Sequence, residues 1–220
     1  HNAKLCESIG HNVEECNIDY DGLLLSRAFA IIISSHVSQM FNELKDLVGR
    51  SFKKSEVETA SRALNYLGKS FRGKDYAWAR YTIQKISRDV MQQTNDYDAV
   101  ILPIISQSAP LLGELRPKKI NNIQNEILMA LRLGFLFRIP FIRDPFLNKN
   151  IIENYWYSPD AVLQNVTGQP SISLPTFFTN NNLPLGVQFA GRYAEESILI
   201  DLASQLEQAN PWIDKKPSIS

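Results

Sequence analysis

The stretch at 165–192, NVTGQPSISLPTFFTNNNLPLGVQFAGR, decides how the rest of the chain is read. It holds two β-like apolar runs, at 171–174 and 185–190, on either side of a polar turn. Gly168, Pro170, Pro175, Pro184 and Gly191 bracket those runs, and glycine and proline are what turns and strand ends select. The spacing predicts two short strands, near 171–178 and 185–190, joined as a hairpin. Before them a short helix is expected at 160–166. After them 195–208 reads as a helix, with Glu195 and Glu196 in its first turn where the helix dipole favours acids. Its inward positions are Ile198, Leu199, Leu202 and Leu206, and Asn210-Pro211 ends it.

Outward from this stretch the pattern is mixed. Residues 97–104, YDAVILPI, form a short apolar run rich in β-branched residues, which predicts a strand buried on both faces. Pro103 ends it, and SQSAPLLG at 106–113 forms a loop at its C-terminal end, where open α/β sheets gather ligands. Earlier, 23–48 carries Leu25, Phe29, Ile32, His36, Met40, Leu44 and Leu47 as one helical stripe ended by Gly49. Ser55 with Glu58 has capping-box spacing, and it opens a helix through Val57, Ala60, Leu64 and Leu67 to Gly68. A further helix is expected over 75–93. Residues 120–142 predict a mostly apolar helix punctuated by Arg132, Arg138 and Arg143, followed by a loop with Trp156 and Pro159. At the other end, Ala3, Leu5, Cys6 and Ile9 read as a helix to Gly10, followed by an alternating strand through Val13, Cys16 and Ile18. That first helix has no cap, so the expectation is a chain cut from something longer. The order α-β-ααα-β-α-α-ββ-α is that of one α/β layer spanning 1–220 as a single unit.

Bulk properties exclude several classes. The 220 residues are 44% apolar and 21% charged with zero net charge, ordinary for a globular protein. No global field draws the chain to nucleic acid or to an anionic membrane. No uninterrupted apolar run approaches the roughly 20 residues that cross a bilayer, and no basic region leads into an apolar one as in a signal peptide. Arg132 and Arg138 flank apolar aromatics in 120–142, but that stripe is not one-sided enough to settle a membrane-surface role. Two cysteines, Cys6 and Cys16, are too few for a disulfide framework. With the sequon at Asn165 set aside, the expected compartment is the cytoplasm.

The chain holds no convincing catalytic constellation. His36 lies on a helical stripe and His11 in a turn, and no G-x-S-x-G elbow exists to partner either. Ser51-Phe-Lys-Lys54 has S-x-x-K spacing, but its companion elements are missing. Ser34-Ser35 sits in mid-helix, where back-bonding to helix carbonyls is the ordinary use of serine. Cys6, His11 and Cys16 lack the close C-x-x-C spacing of a zinc site, and no phosphate loop or aromatic-basic patch is seen. Neither metal nor cofactor is expected.

The punctuated stretch resembles the C-terminal end of amidase signature family hydrolases. The resemblance lies in Thr167-Gly168-Gln169-Pro170, the alternating Ser-Ile-Ser-Leu-Pro, the polar hairpin, Leu183-Pro184-Leu185-Gly186-Val187-Gln188, and Gly191-Arg192 before an acid-opened helix. Upstream, LCESIGHNVEEC at 5–16 resembles the family's helix–strand unit ending LGHxVEE. YDAVILPIISQSAPLLGEL at 97–115 resembles its YDxxLTPxxxxPPxxLGEL strand and loop, with Ile104 where Thr or Val is common. Among subfamilies, LCESIGHNVEE and the closing QANPWIDKKP are most similar to 6-aminohexanoate-cyclic-dimer hydrolases and their bacterial relatives.

The resemblance covers essentially the whole chain against roughly the C-terminal half of a family member. It implies a three-layer α/β/α fold around a mixed β-sheet, and hydrolysis of a carboxylic amide by a serine nucleophile, a bridging cis-serine and a lysine base. Those groups sit in the family's N-terminal half, and no GGSSGG-like or GSDTGGS-like run occurs here. No triad residue is therefore carried over, and the chain alone is expected to be inactive. Its implied share is scaffold and one wall of the substrate pocket, namely Pro103, Ile104, Ile105, Ser106 and Gln107, with 128–141 as a second candidate near the entrance. The implied partners are a small-molecule amide and the family's N-terminal half, not nucleic acid, with a homodimer left open. Two alternatives stand: a self-contained non-catalytic α/β binding module, and an amidotransferase subunit of the same family.

Overall fold

In the computed structural model, which describes residues 1–106, 109–114, 133–158, 160, 162–179 and 183–216, the punctuated stretch forms the expected pair of strands. The strands are β1 (Ala99–Pro103), β2 (Ser171–Phe178) and β3 (Pro184–Gly191). They pair in the order β1-β3-β2, antiparallel at both junctions. The α/β class holds, and the three described strands form a small antiparallel sheet. Register places Ala99 opposite Gly191 and Pro103 opposite Val187, with Ser171 opposite Ala190 and Leu174 opposite Val187.

Strand alternation then sorts the side chains. Ala99, Ile101, Ile172, Leu174, Val187 and Phe189 share one face, and α1 (Asn2–Ser8) and α7 (Glu196–Ala209) pack on it through Cys6, Leu199 and Leu206. Phe189 and Leu206 are wholly buried, each stabilising the fold by about 1.5–3 kcal/mol through lost apolar exposure. The other face carries the row Leu102, Gln188, Ser173. Between Leu174 and Phe177 the β2 register shifts, because Pro175 has no N–H for the ladder and forces an irregularity. Thr176, placed there, is buried; Asn210 Nδ2 donates to its carbonyl at 2.9 Å, and its hydroxyl pairs with the Asn2 side chain.

The described chain divides into two compact units. His1–Gly22, Gln84–Ala109 and Trp156–Ser220 make the unit around this sheet, which also holds the short helix α6 (Leu163–Thr167). Gly168 caps α6 in the left-handed region at φ 74°, which suits a residue without a Cβ.

The second unit, Leu23–Ile83 and Pro110–Tyr155, is helical. Most of α2 (Gly22–Val48), α3 (Thr59–Gly68), the start of α4 (Gly73–Thr94) and most of α5 (Pro140–Tyr157) build it around Ala28, Ile31, Leu67, Ala79, Leu147 and Ile151. Gly68 is obligatory in that packing: a Cβ there would stand 2.0 Å from the Ser34 carbonyl oxygen. Arg143, nearly buried, is caged by Asp144 at 2.9 Å, Asp75 at 3.9 Å, the Ser70 carbonyl at 3.4 Å and the Phe71 ring at 4.7 Å.

Several expectations are corrected. Residues 11–21 form neither strand nor helix; alternation becomes a strand only where a partner ladder exists, and Glu14 instead bonds Tyr97. In β1 only Val100 is fully buried, since the strand has one described neighbour and lies at the sheet's edge. The Ser55/Glu58 capping box does not form. Arg50 holds Glu56 through two 2.9 Å bonds while Glu56 accepts from Lys53 N–H at 2.8 Å, so Lys54–Glu56 coils as a 3-10 turn and Glu58 becomes the N-cap of α3.

Of the helix expected over 120–142, residues 120–132 lie outside the described ones. Leu133–Arg138 is a 3-10 turn, and α5 starts afresh at Pro140, a first-turn position needing no N–H, then continues through Trp156 where a loop was expected. By length and composition alone α2 is long and apolar enough to cross a bilayer; its interruptions at Ser34, Ser35, His36 and Ser38 hid this from a reading of uninterrupted runs.

Candidate functional site

The loop leaving β1 is anchored by Ser158. Ser158 Oγ donates to the Ile104 carbonyl at 2.6 Å, fixing the chain just after Pro103 turns out of the ladder. Ile104 then lies over β3: its Cδ1 is 3.0 Å from where a Cβ on Gly186 would stand, and Ser173 Oγ is equally close. Gly186 therefore leaves room for both side chains, and any larger residue would push one aside. Ile104 and Ile105 are half-buried, while Pro103 and Ser106 are exposed. Gln107 lies outside the described residues. Of the five expected wall residues the structure places these four as one segment, an apolar shelf with the Ser173 hydroxyl beside it.

Three side-chain amides also brace the sheet: Gln188 with Gln164 near the end of β1 that leads to Ile104, and Gln169 at the opposite end of β3. Gln188, opposite Leu102 in the sheet, donates through Nε2 to Gln164 Oε1 at 2.7 Å. Gln169 donates to Thr94 Oγ1 and to the Gly191 carbonyl, both at 3.2 Å. Gln164 and Gln169 are each 8% exposed, so their amides must be paired inside the protein. The signal was present in outline: Gln188 is a polar residue inside an apolar strand run, and Gln169 follows the glycine that ends a helix.

Beyond the sheet, Arg192 sits between Asp98 at 3.1 Å and Glu195 at 2.9 Å. Its guanidinium is held above the ordinary value, first by the Glu195 hydrogen bond. Glu195 holds the N-cap position of α7, but its carboxylate serves Arg192 and makes no cap hydrogen bond.

The groups resembling catalytic ones have structural uses. Ser34 and Ser35 back-bond to the Ala30 and Ile31 carbonyls at 2.7 Å, and His36 Nε2 meets Tyr76 OH at 3.1 Å. Among the described residues no cluster of three or more His, Cys, Asp or Glu could hold a metal. The arrangement can bind and orient an apolar group.

Comparison with known proteins places the fold. No family model matches the chain. A 6-aminohexanoate-cyclic-dimer hydrolase of Pseudomonas sp. is 26% identical over 99% of the chain and 40% of its own length. A putative amidase of Synechocystis sp. is 29% identical over 93% of the chain and 32% of its own length. A solved structure of 6-aminohexanoate cyclic dimer hydrolase superposes with a TM-score of 0.74 at 24% identity, over 98% of the chain and 41% of that protein. The homologues are thus 6-aminohexanoate-cyclic-dimer hydrolases and other amidases, as the 165–192 stretch implies, and the fold is theirs. The chain spans about 40% of the length of the first curated relatives it matches.

Proposed function

We propose that this chain, whose homologues are amidases, forms the C-terminal portion of an amidase catalytic domain that hydrolyses a carboxylic amide through a Ser–cis-Ser–Lys acyl-enzyme. The observation that carries this is the near-complete coverage of the chain by amidases, in both sequence and fold, against two-fifths of their length. In the proposed reaction the lysine takes a proton from the bridging serine, which in turn takes one from the nucleophile. The serine oxygen attacks the amide carbon, and backbone N–H donors hold the resulting oxyanion. The C–N bond breaks as the amine leaves with a proton, and water then hydrolyses the acyl-serine to a carboxylate. The nucleophile, bridging serine and lysine belong to the protein outside these 220 residues.

This chain's own share is shape. Pro103, Ile104, Ile105, Ser106 and Gln107 line one side of the acyl pocket, the apolar pair facing the substrate's methylenes; the fixed Ile104 carbonyl and the Gly186 gap support that assignment. Simple aliphatic amides, of the kind named in the relatives, are the substrate class.

The test is turnover by the chain alone. Purified His1–Ser220, shown folded by circular dichroism, is expected to leave linear and cyclic aminohexanoate dimers unchanged. Hydrolysis by the chain alone would overturn the proposal.

A further inference from the structure

Beside β1, within the sheet-bearing unit, lies a cavity of about 160 Å³. Ile18, Val100, Leu102 and Leu163 give it apolar walls, and Tyr20, Asp160 and Cys16 supply its polar lining. The 11–21 segment, which forms no strand, closes one side of it.

Its charge is one-sided. Tyr20 OH donates to Asp160 Oδ1 at 2.7 Å. Among the described residues the second carboxylate oxygen, Oδ2, has no hydrogen-bond or ion-pair partner. A half-buried carboxylate with apolar neighbours favours a ligand that brings both donors and positive charge. An anion would be repelled, and a neutral amide would leave the charge uncompensated. A metal ion is poorly served by one carboxylate and one hydroxyl already committed as donor. Size narrows the choice further, since a cavity of about 150 Å³ takes a ligand of about six heavy atoms.

We propose that this cavity is a binding site for a short primary alkylammonium ion, its N–H donors on Asp160 Oδ2 and its chain against Val100, Leu102 and Leu163. The inference is independent of the amidase reading, because it rests on the cavity alone.

Cys16 offers the readout, being exposed and part of the lining, while the other cysteine, Cys6, is buried. The experiment compares modification of Cys16 by cationic 2-aminoethyl methanethiosulfonate and anionic 2-sulfonatoethyl methanethiosulfonate, followed by mass spectrometry. The cationic reagent is expected to react faster by about tenfold relative to its advantage on the Asp160→Asn variant, as an uncompensated charge focuses cations. Millimolar n-butylammonium chloride is expected to slow the reaction well beyond the screening that sodium chloride gives at equal ionic strength. Tyr20→Phe keeps the carboxylate and should keep that protection, so the inference stays testable if Asp160→Asn fails to fold. Equal rates for the two reagents, or equal slowing by sodium chloride, would overturn it.

Discussion

The side-chain amide of Gln169 donates to the carbonyl oxygen of Gly191 across 3.2 Å, joining the residue after the α6 cap to the last residue of β3. The same nitrogen reaches Thr94 Oγ1 at the end of α4, also at 3.2 Å. One amide therefore ties together the two ends of the hairpin segment and the helix behind it. Gln169→Ala leaves buried acceptors without their donor, which is expected to destabilise the fold by about 1–3 kcal/mol. Urea unfolding measures this; a change under about 0.5 kcal/mol, the range of an ordinary surface substitution, would show the amide to be dispensable.

The α2–α3 contact makes a sharper demand on volume. Gly68→Ala sets a methyl 2.0 Å from the Ser34 carbonyl oxygen, and overpacking of this kind is worth about 1–3 kcal/mol of stability. Leu47→Ala, at a side chain 82% exposed, is expected to stay within about 0.5 kcal/mol. Thermal unfolding of the two variants side by side checks the ranking, and a reversed order would refute the packing.

The thiols should separate cleanly. Burial pushes the Cys6 thiol above its ordinary 9.0, whereas Cys16 is exposed. A thiol-disulfide reagent at neutral pH is expected to modify Cys16 in the folded protein and Cys6 only in denaturant. Because the folded value of Cys6 is raised, its contribution to stability is full below pH 9.0 and falls away as pH climbs past it. Simultaneous labelling of both thiols in the folded state would contradict this.

Glu56 shows the opposite sign. The Arg50 fork, aided by the Lys53 N–H, lowers its carboxyl from 4.5 to about 2. The stabilisation is therefore present above pH 4.5 and lost as pH falls from there toward 2. The pair is solvent-exposed, so added salt should weaken it. In an NMR titration the Arg50→Gln variant is expected to return the Glu56 midpoint most of the way to its ordinary value. A midpoint that stays where it was would place the cause elsewhere.

What the sequence disclosed was the punctuation. Gly168, Pro170, Pro184 and Gly191 located the hairpin: Gly168 takes a positive φ before β2, Pro184 opens β3, and a Cβ on Gly191 would press on Leu199 at 3.2 Å. The helical stripe through Leu25 and Ile32 was legible for the same local reason. The segment at 13–18 misled because alternation is local whereas strand pairing is not: Ile18 and Tyr20 found a cavity beside β1 rather than a ladder. The 3-10 turn at Lys54–Glu56 was hidden because Arg50 captured Glu56, an acid the local Ser55/Glu58 spacing left out of account. Of the candidate site, the loop after β1 was visible as a strand end. The Ser158 anchor on Ile104, 54 residues distant, was not.

The central claim is that the reacting serine lies outside these residues, and covalent labelling tests it most directly. The whole protein that carries this chain would be acylated with a fluorophosphonate probe, digested, and its modified peptide identified by mass spectrometry. The label is expected on a serine beyond His1–Ser220. A stoichiometric label on Ser34, Ser35, Ser51 or any other serine within this chain would contradict the account.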